Sequence, residues 1–459
     1  MSRSPNTSVA TECSKVPSLG RRLASPIIRA YWRPILLVLL PFAAGYFLSY
    51  FFRTINAVIA GQLTAELGLD ASHLGLMTSV YFLTFAAIQL PLGVLLDRFG
   101  PRRVQSGLLI VAAVGAALFA RSNQFAALVL GRALIGFGVA GALIAGLKAI
   151  VSWFPKERIL LFNGCFIMLG TLGAICATSP AAWLLPYIGW RGLLDVMAGV
   201  TAATALIIFF VVPDRPSPIP NVPSSSSGGL RAIFGDRRFW RLAPLSTMCI
   251  STAWAVQGLW AGPWLADVDG LPRASVVLHL FVMAVTLSTA ALLLGVGADR
   301  LRTRGIQTQT ILGCAALLFV AAESLLILDV RSISYASWAV VAGMGAGTVL
   351  SYSILAQYFP KEIAGRANAA LNIFHIGGAF VLQEVIGWII NRWPAHDGHY
   401  PAIAYKTALG LVMVQQIIAI IWFAHFDQKL RTFVAKGIRR WVANHRTIAV
   451  GRPTLLGEG

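Results

Sequence analysis

The chain is a succession of long apolar runs separated by short polar gaps. Apolar runs occupy residues 34–57, 72–96, 104–121, 124–152, 159–184 and 193–212, then 240–266, 275–298, 306–328, 335–358, 367–392 and 403–425. Each is close to the ~20 residues a helix needs to cross the ~30 Å hydrocarbon core. Between the two sets of six, Pro213 to Gly229 is crowded with Pro and Ser and reads as a linker that cannot fold on itself. The pattern predicts an all-α membrane protein with 12 transmembrane helices in two groups of six. The predicted organisation is a basic tail over 1–33, a bundle over 34–212, a linker over 213–238, a second bundle over 239–425 and a basic tail over 426–459. From Asp427 onward that last tail is partly amphipathic (Leu430, Phe433, Val434, Ile438, Trp441), as expected of a segment lying along the membrane surface.

Composition agrees: 57% of the 459 residues are hydrophobic and 12% charged, against about 45–50% and 25% in soluble domains. The net charge of +19 raises the question of nucleic acid, but the basic residues come as small clusters in the gaps. Arg98/Arg102/Arg103, Lys156/Arg158, Arg231/Arg237/Arg238, Arg300/Arg302/Arg304 and Lys361/Arg366 follow every second span, whereas the opposite gaps hold single arginines (Arg121, Arg191, Arg273, Arg331, Arg392). That alternation is the positive-inside rule, so the expected partner is the lipid bilayer and no nucleic acid, with both termini cytoplasmic. Cys165, Cys176, Cys249 and Cys314 lie within spans and Cys13 in the tail, without the paired spacing of a metal site or disulfide framework. The first 33 residues have no apolar core, so no cleavable signal peptide is expected.

One gap carries a motif. Gly93 to Arg103 reads Gly-Val-Leu-Leu-Asp-Arg-Phe-Gly-Pro-Arg-Arg, with Gly and Pro for a tight turn and Asp97 expected to end the preceding helix. Its spaced set Gly93, Asp97, Arg98, Gly100, Arg102 and Arg103 resembles the loop between helices 2 and 3 of the major facilitator superfamily. Every fixed position of that family pattern, Gly-x-x-x-Asp-Arg-x-Gly-x-Arg-Arg, is present. A repeat points the same way: Asp97-Arg98 returns as Asp299-Arg300, and Trp153-Phe-Pro-Lys-Glu157 as Tyr358-Phe-Pro-Lys-Glu362, about 200 residues later. The resemblance covers residues 34–425. It implies two pseudo-symmetric six-helix bundles rocking about a midplane site for a small-molecule substrate. It also implies a cytoplasmic ion-pair latch built from Asp97, Arg98, Glu157, Arg158, Asp299, Arg300, Glu362 and Arg366.

Ionisable side chains inside spans are costly and are functional candidates. Arg53 is the sharpest. Helical spacing puts Tyr46, Ser49 or Tyr50, and Arg53 on one face, and a guanidinium there can grip a carboxylate or phosphate with two prongs. The alternative is an arginine reaching for the outer interface from the last third of its span. The stretch resembles the first helix of organophosphate:phosphate antiporters and organic-anion members, which implies a substrate-binding role for Arg53. The repeat shift carries Arg53 onto Gln257, where the organophosphate transporters have a second Arg. That departure points to a monoanion or zwitterion whose organic part meets Trp254, Trp260 and Trp264; the alternative is an interfacial aromatic belt with Gln257 in a helix–helix contact. Asn56 and Asn372 complete the candidate substrate-binding set.

For coupling, Glu384, on the same helix as Asn372 and His375, is the candidate proton site, while Glu323 lies toward the outer end and is expected to face water. His375 can titrate near neutrality, with a buried, hydrogen-bonded histidine as the alternative for it and for His279. Arg132, within Gly131–Gly138, resembles the fourth-helix motif of the superfamily, which implies proton coupling or structure near the cavity. Lys148 reads as an interface anchor. The fifth span lacks the Gly-Pro-x-x-Gly-Gly run of drug antiporters, which favours uptake, and Gly189-Trp190-Arg191 is family-like without substrate information. No phosphate-binding loop, nucleophile elbow or His-Glu-x-x-His is present, so no enzyme activity, cofactor or metal is expected. The expected function is proton-coupled uptake of a small organic anion or zwitterion by a monomer in the inner membrane. Two other readings stay open: efflux of drugs or metabolites by proton antiport, and a non-transporting sensor that keeps the fold.

Overall fold

The computed structural model describes residues 31–155, 158–213, 227–396 and 399–425, which are helical apart from turns and one isolated bridge between His396 and His399. Helix α1 covers Tyr31–Thr54, breaks at Ile55 and resumes as Asn56–Leu67. Helices α2 and α3 share Ala71–Arg121 and meet at Gly100, whose φ of 76° is left-handed. Asp97 therefore does not end α2, which runs on through Phe99 to Gly100. A carboxylate in a last turn caps nothing there, whereas a glycine free of Cβ strain takes the left-handed bend and Pro101 is ready-made for the next helix start.

Helix α4 is Phe125–Trp153; α5 starts as Ile159–Cys176, is interrupted at 177–178, and resumes from Ser179 to a second left-handed glycine, Gly189, where α6 begins its run to Val211. The chain then forms a short helix at Ser227–Gly235, so the end of the predicted linker is ordered as helix. Residues 214–226 and both tails, 1–30 and 426–459, lie outside the described residues, and with them the predicted amphipathic stretch. Helix α7 is Arg237–Ala255, a π-helical stretch Val256–Trp260 and Ala261–Asp267, started by Asp236, whose carboxylate accepts from the Arg238 N–H at 2.7 Å. There follow α8 (Arg273–Thr303), α9 (Thr308–Ile327), α10 (Arg331–Tyr358), α11 (Lys361–Ile390) and α12 (Ala402–His425). Among the described residues ten stretches are long and apolar enough to cross a membrane, and the first part of α5 is a shorter apolar helix.

The helices alternate in direction, so one end of the molecule carries the 68–70, 122–124, 268–272 and 391–401 connections and the other carries the Gly100 turn. Large apolar side chains such as Phe210, Leu293 and Ile421 cover the outer faces, as a lipid-facing surface requires. Inside the first half, α1 lies against α5 because two glycines leave room. A Cβ on Gly170 would sit 2.1 Å from Tyr46 Cδ1, and one on Gly173 would sit 2.0 Å from the Phe47 carbonyl.

The halves close on each other at the end opposite the Gly100 turn. Gly75 of α2 meets Gln383 and Gly387 of α11, and a Cβ on Gly262 of α7 would lie 2.3 Å from the Ala57 carbonyl of α1. The Tyr400 hydroxyl accepts from the Ala71 N–H at 3.0 Å and donates to Asn391 Oδ1 at 2.9 Å, while Asn391 Nδ2 reaches Asp70 at 3.4 Å. Asp267 anchors this strap by accepting from the Tyr400 N–H and the Tyr405 hydroxyl. Within this closure lies a cavity of about 730 Å³ bounded by both halves, with Ala57, Gly61, Leu74, Trp260 and Tyr400 among its walls.

Candidate substrate cavity

Below that closure, Arg53 stands midway along the full length of α1 and is half-buried, as are Tyr50, Trp254, Tyr352 and Asn372. The Arg53 guanidinium carbon lies 4.3 Å from the Tyr50 ring centroid and 5.1 Å from that of Trp254, so its partners come from both halves. This places Arg53 between the two halves, in contact with side chains of both. Tyr46 stacks on Phe166 at 5.2 Å and brings its hydroxyl to that of Tyr50 at 3.5 Å, so the polar stripe read from helical spacing exists.

Trp254 is held by its indole N–H, which donates to the Gly345 carbonyl at 3.1 Å. That carbonyl is available because α10 tightens to a 3₁₀ turn at Gly345–Gly347, which shifts the hydrogen-bond ladder. In α7 the π-helical stretch falls on Gln257, the repeat counterpart of Arg53, and Gln383 of α11 donates to the Ala255 carbonyl at 2.9 Å. Gln257 is buried and its Nε2 has no hydrogen-bond partner. On the far wall Tyr352 donates to Asn372 Oδ1 at 2.8 Å. No acidic side chain pairs with Arg53 or Arg132 among the described residues. Arg53 and the aromatic side chains around it form a positive, half-buried cluster suited to a small anion, separate from the cavity at the closure, whose walls include none of them.

Other candidates fall elsewhere. Asn56 is buried and donates to Thr78 Oγ1 at 3.0 Å, a contact between α1 and α2. Trp260 packs at the closure against Gly75 and Gly387, where it lines the cavity described above, and Trp264 is buried against Trp338 and Tyr405 inside the second half. Amphipathic spacing located the aromatic residues, but the π-helical stretch rotates Trp260 away from the face of Trp254.

Of the titratable candidates, Glu384 is half-buried at the seam and its Oε2 accepts from Ser79 Oγ of α2 at 3.2 Å, a hydrogen bond between halves. His375 is fully buried within the second half, bonded through Nε2 to Ser246 Oγ at 2.8 Å. His279 is likewise buried, stacked on Tyr335 and bonded to the Ser275 carbonyl. Glu323 does not face water: it is fully buried, accepting from Gln416, which also bonds Thr252. The expectation failed because its height along α9 was legible but the face that α7 and α12 cover was not.

At the Gly100 end, Asp97 pairs with Lys148 at 2.6 Å, and Lys148 also donates to the Leu96 carbonyl at 2.7 Å. Lys148 is thus an ion-pair partner within the first half rather than an interface anchor. Arg98 lies over Phe99, and Arg102 donates to the Phe209 carbonyl at 2.7 Å. Arg158 and Arg300 are exposed, Glu157 lies outside the described residues, and so do the side chains of Asp299 and Glu362. The family-like Gly189-Trp190-Arg191 ties α6 to the end of α1, since Trp190 Nε1 and Arg191 Nε donate to Glu66 at 2.6 and 2.9 Å. Sequence reasoning missed Ser79, Tyr81, Tyr352 and Gln383, whose only signal was a polar side chain within an apolar run.

A helical membrane protein whose two halves meet at one end has the general architecture of secondary transporters. The model of the Major Facilitator Superfamily matches residues 42–382, and the chain belongs to that superfamily. Among its relatives is the probable sulfoacetate transporter of Cupriavidus necator, 23% identical, with 77% of this chain and 86% of that protein aligned. The probable nitrate/nitrite antiporter of Thermus thermophilus is 24% identical over 77% of this chain and 83% of its own length. The hexuronate transporter of Escherichia coli is 23% identical over 52% of this chain and 58% of its own. A bacterial homolog of the human lysosomal transporter Spinster, solved inward-facing and unoccupied, shares the fold with a TM-score of 0.71 at 17% identity, covering 90% of this chain and 98% of that one. These proteins are transporters, and no catalytic family is indicated.

Proposed function

We propose that this protein carries a small organic monoanion or zwitterion into the cell, driven by protons. The observation that carries the reading is Arg53: a guanidinium between the halves, stacked by Tyr50 of one and near Trp254 of the other, with no carboxylate among the described residues to neutralise it. Stacking holds the cation in place and leaves N–H groups for an anion. Relatives named for sulfoacetate, nitrate/nitrite and hexuronate, all anions, support an anion as the substrate, and hexuronate is an organic monoanion. In this reading Glu384 carries the coupling proton, since its bond to Ser79 spans a seam that must part when the outer end opens. The carrier acts as a monomer in the inner membrane with both termini cytoplasmic, in keeping with the distribution of arginines. The cytoplasmic motif residues Asp97, Arg98, Arg102 and Arg103, with their repeat counterparts, form the latch of the opposite state.

The test is thermal stabilisation of purified wild type and Arg53→Ala by sulfoacetate, glucuronate, galactonate, nitrate and tetraphenylphosphonium. A ligand at a hundredfold excess over its dissociation constant stabilises by about 2.7 kcal/mol. Stabilisation by one of the anions, lost in Arg53→Ala while the variant remains folded, is the expected result. Stabilisation only by the lipophilic cation, unchanged in the variant, overturns the reading in favour of efflux.

A further inference from the structure

We infer that Arg132 is a positioning residue that holds the turn of α1 presenting Arg53 between the halves; the inference rests on the anion-site reading of Arg53. Helix α1 ends its first part at Thr54 and restarts at Asn56, with Ile55 a turn between them. The carbonyls of that last turn are released from the helical ladder. Arg132 of α4 takes one of them: its Nη1 donates to the Phe52 carbonyl at 3.0 Å. One turn earlier, the Tyr81 hydroxyl of α2 donates to the Ser49 carbonyl at 3.2 Å. The two donors are themselves joined, the Arg132 guanidinium carbon lying 4.9 Å from the Tyr81 ring centroid. Tyr50 follows the first gripped carbonyl directly in the chain, and Arg53 follows the second.

The burial of Arg132 makes this contact informative. It is 1% exposed, and its Nε and Nη2 have no hydrogen-bond partners. A buried cation without an acid is costly, and the Phe52 bond with the Tyr81 stack is what offsets that cost here. A guanidinium does not release its proton in a protein, so Arg132 acts through what it holds and not as a proton carrier. The surrounding glycines serve the same contact: a Cβ on Gly136 would lie 2.3 Å from the Tyr81 carbonyl, so α4 reaches α2 this closely only without a side chain there.

The experiment uses the full chain in lipid nanodiscs and two readouts: hydrogen–deuterium exchange of the 46–58 segment, and affinity for sulfoacetate and glucuronate. Arg132→Gln should speed exchange in that segment several-fold with the remaining helices unchanged, and weaken the anion that binds wild type by about tenfold. Arg132→Lys, which keeps one donor, should recover part of both. Unchanged exchange in Arg132→Gln overturns the clamp. Faster exchange with unchanged affinity overturns the positioning role and leaves Arg132 merely structural. If neither anion binds wild type, the reading of the substrate fails, while exchange still decides whether Arg132 holds the turn. Should Arg132→Gln not fold, Tyr81→Phe removes the Ser49 bond, keeps the ring and tests the same turn.

Discussion

Arg53 of α1 and Trp254 of α7 meet across the seam, the guanidinium carbon 5.1 Å from the indole centroid. A charge held this way has partners from both halves, so any movement of one half against the other changes its surroundings. A partly desolvated cation–π contact is worth about 0.5–2 kcal/mol. Trp254→Ala should therefore weaken binding of the anion that stabilises wild type by about 2- to 30-fold, with Trp254→Phe between them. Calorimetric titration checks this, and equal affinities would sink the role of the indole.

Closure of the end opposite the Gly100 turn depends on bare backbone. Gly262 faces the Ala57 carbonyl so closely that a Cβ would lie 2.3 Å from it, and backbone cannot yield as a side-chain tip can. Gly262→Ala should disfavour closure of this end, slowing transport by tenfold or more (about 1.4 kcal/mol per decade) while anion binding survives. Distances between spin labels at Gln124 and Arg392 report the state directly: an unshifted distribution would contradict the prediction.

Glu384 hydrogen-bonds Ser79 at 3.2 Å across the seam. If its protonation couples movement to the proton gradient, Glu384→Gln should lose gradient-driven accumulation in proteoliposomes but keep exchange of labelled for unlabelled anion. Accumulation at the wild-type level would assign coupling elsewhere.

Outside the spans, the Trp190 indole N–H holds the Glu66 carboxyl below its ordinary range, with Arg191 adding to the effect. A lowered native pKa means the contribution to stability is present above the unfolded value of about 4.3 and fades as pH falls through the native one. The carboxylate is 47% exposed, so the effect is modest and screened by salt. Melting of wild type should exceed that of Glu66→Gln at pH 7, and the gap should shrink below about pH 4. A gap that is independent of pH would rule out the ionised carboxylate as its cause.

Much of this protein was legible because a bilayer is a demanding solvent. Helices must be apolar for about 20 residues, so the succession of spans and the two-half plan follow from local pattern alone. The stripe of Tyr46, Tyr50 and Arg53 was legible for the same reason, since neighbours three or four apart must share a helical face. Helix ends were less so: Gly100 and Gly189 end helices through positive φ, a property of backbone strain rather than polarity.

Tertiary structure alone decided which buried polar groups meet. Trp254 and Trp260 are six residues apart, yet a π-helical stretch sends one to Arg53 and the other to the closure. Glu323 and Glu384 are both carboxylates in apolar spans, and only packing put the first inside one half and the second on the seam. The sequence by itself determined the membrane fold, its repeat and the presence of a cation in the first helix, because each is set by spacing along one chain. What that cation touches, which carbonyl Arg132 holds and which end is closed were decided by contacts between distant segments, whose faces and rotations no local pattern encodes.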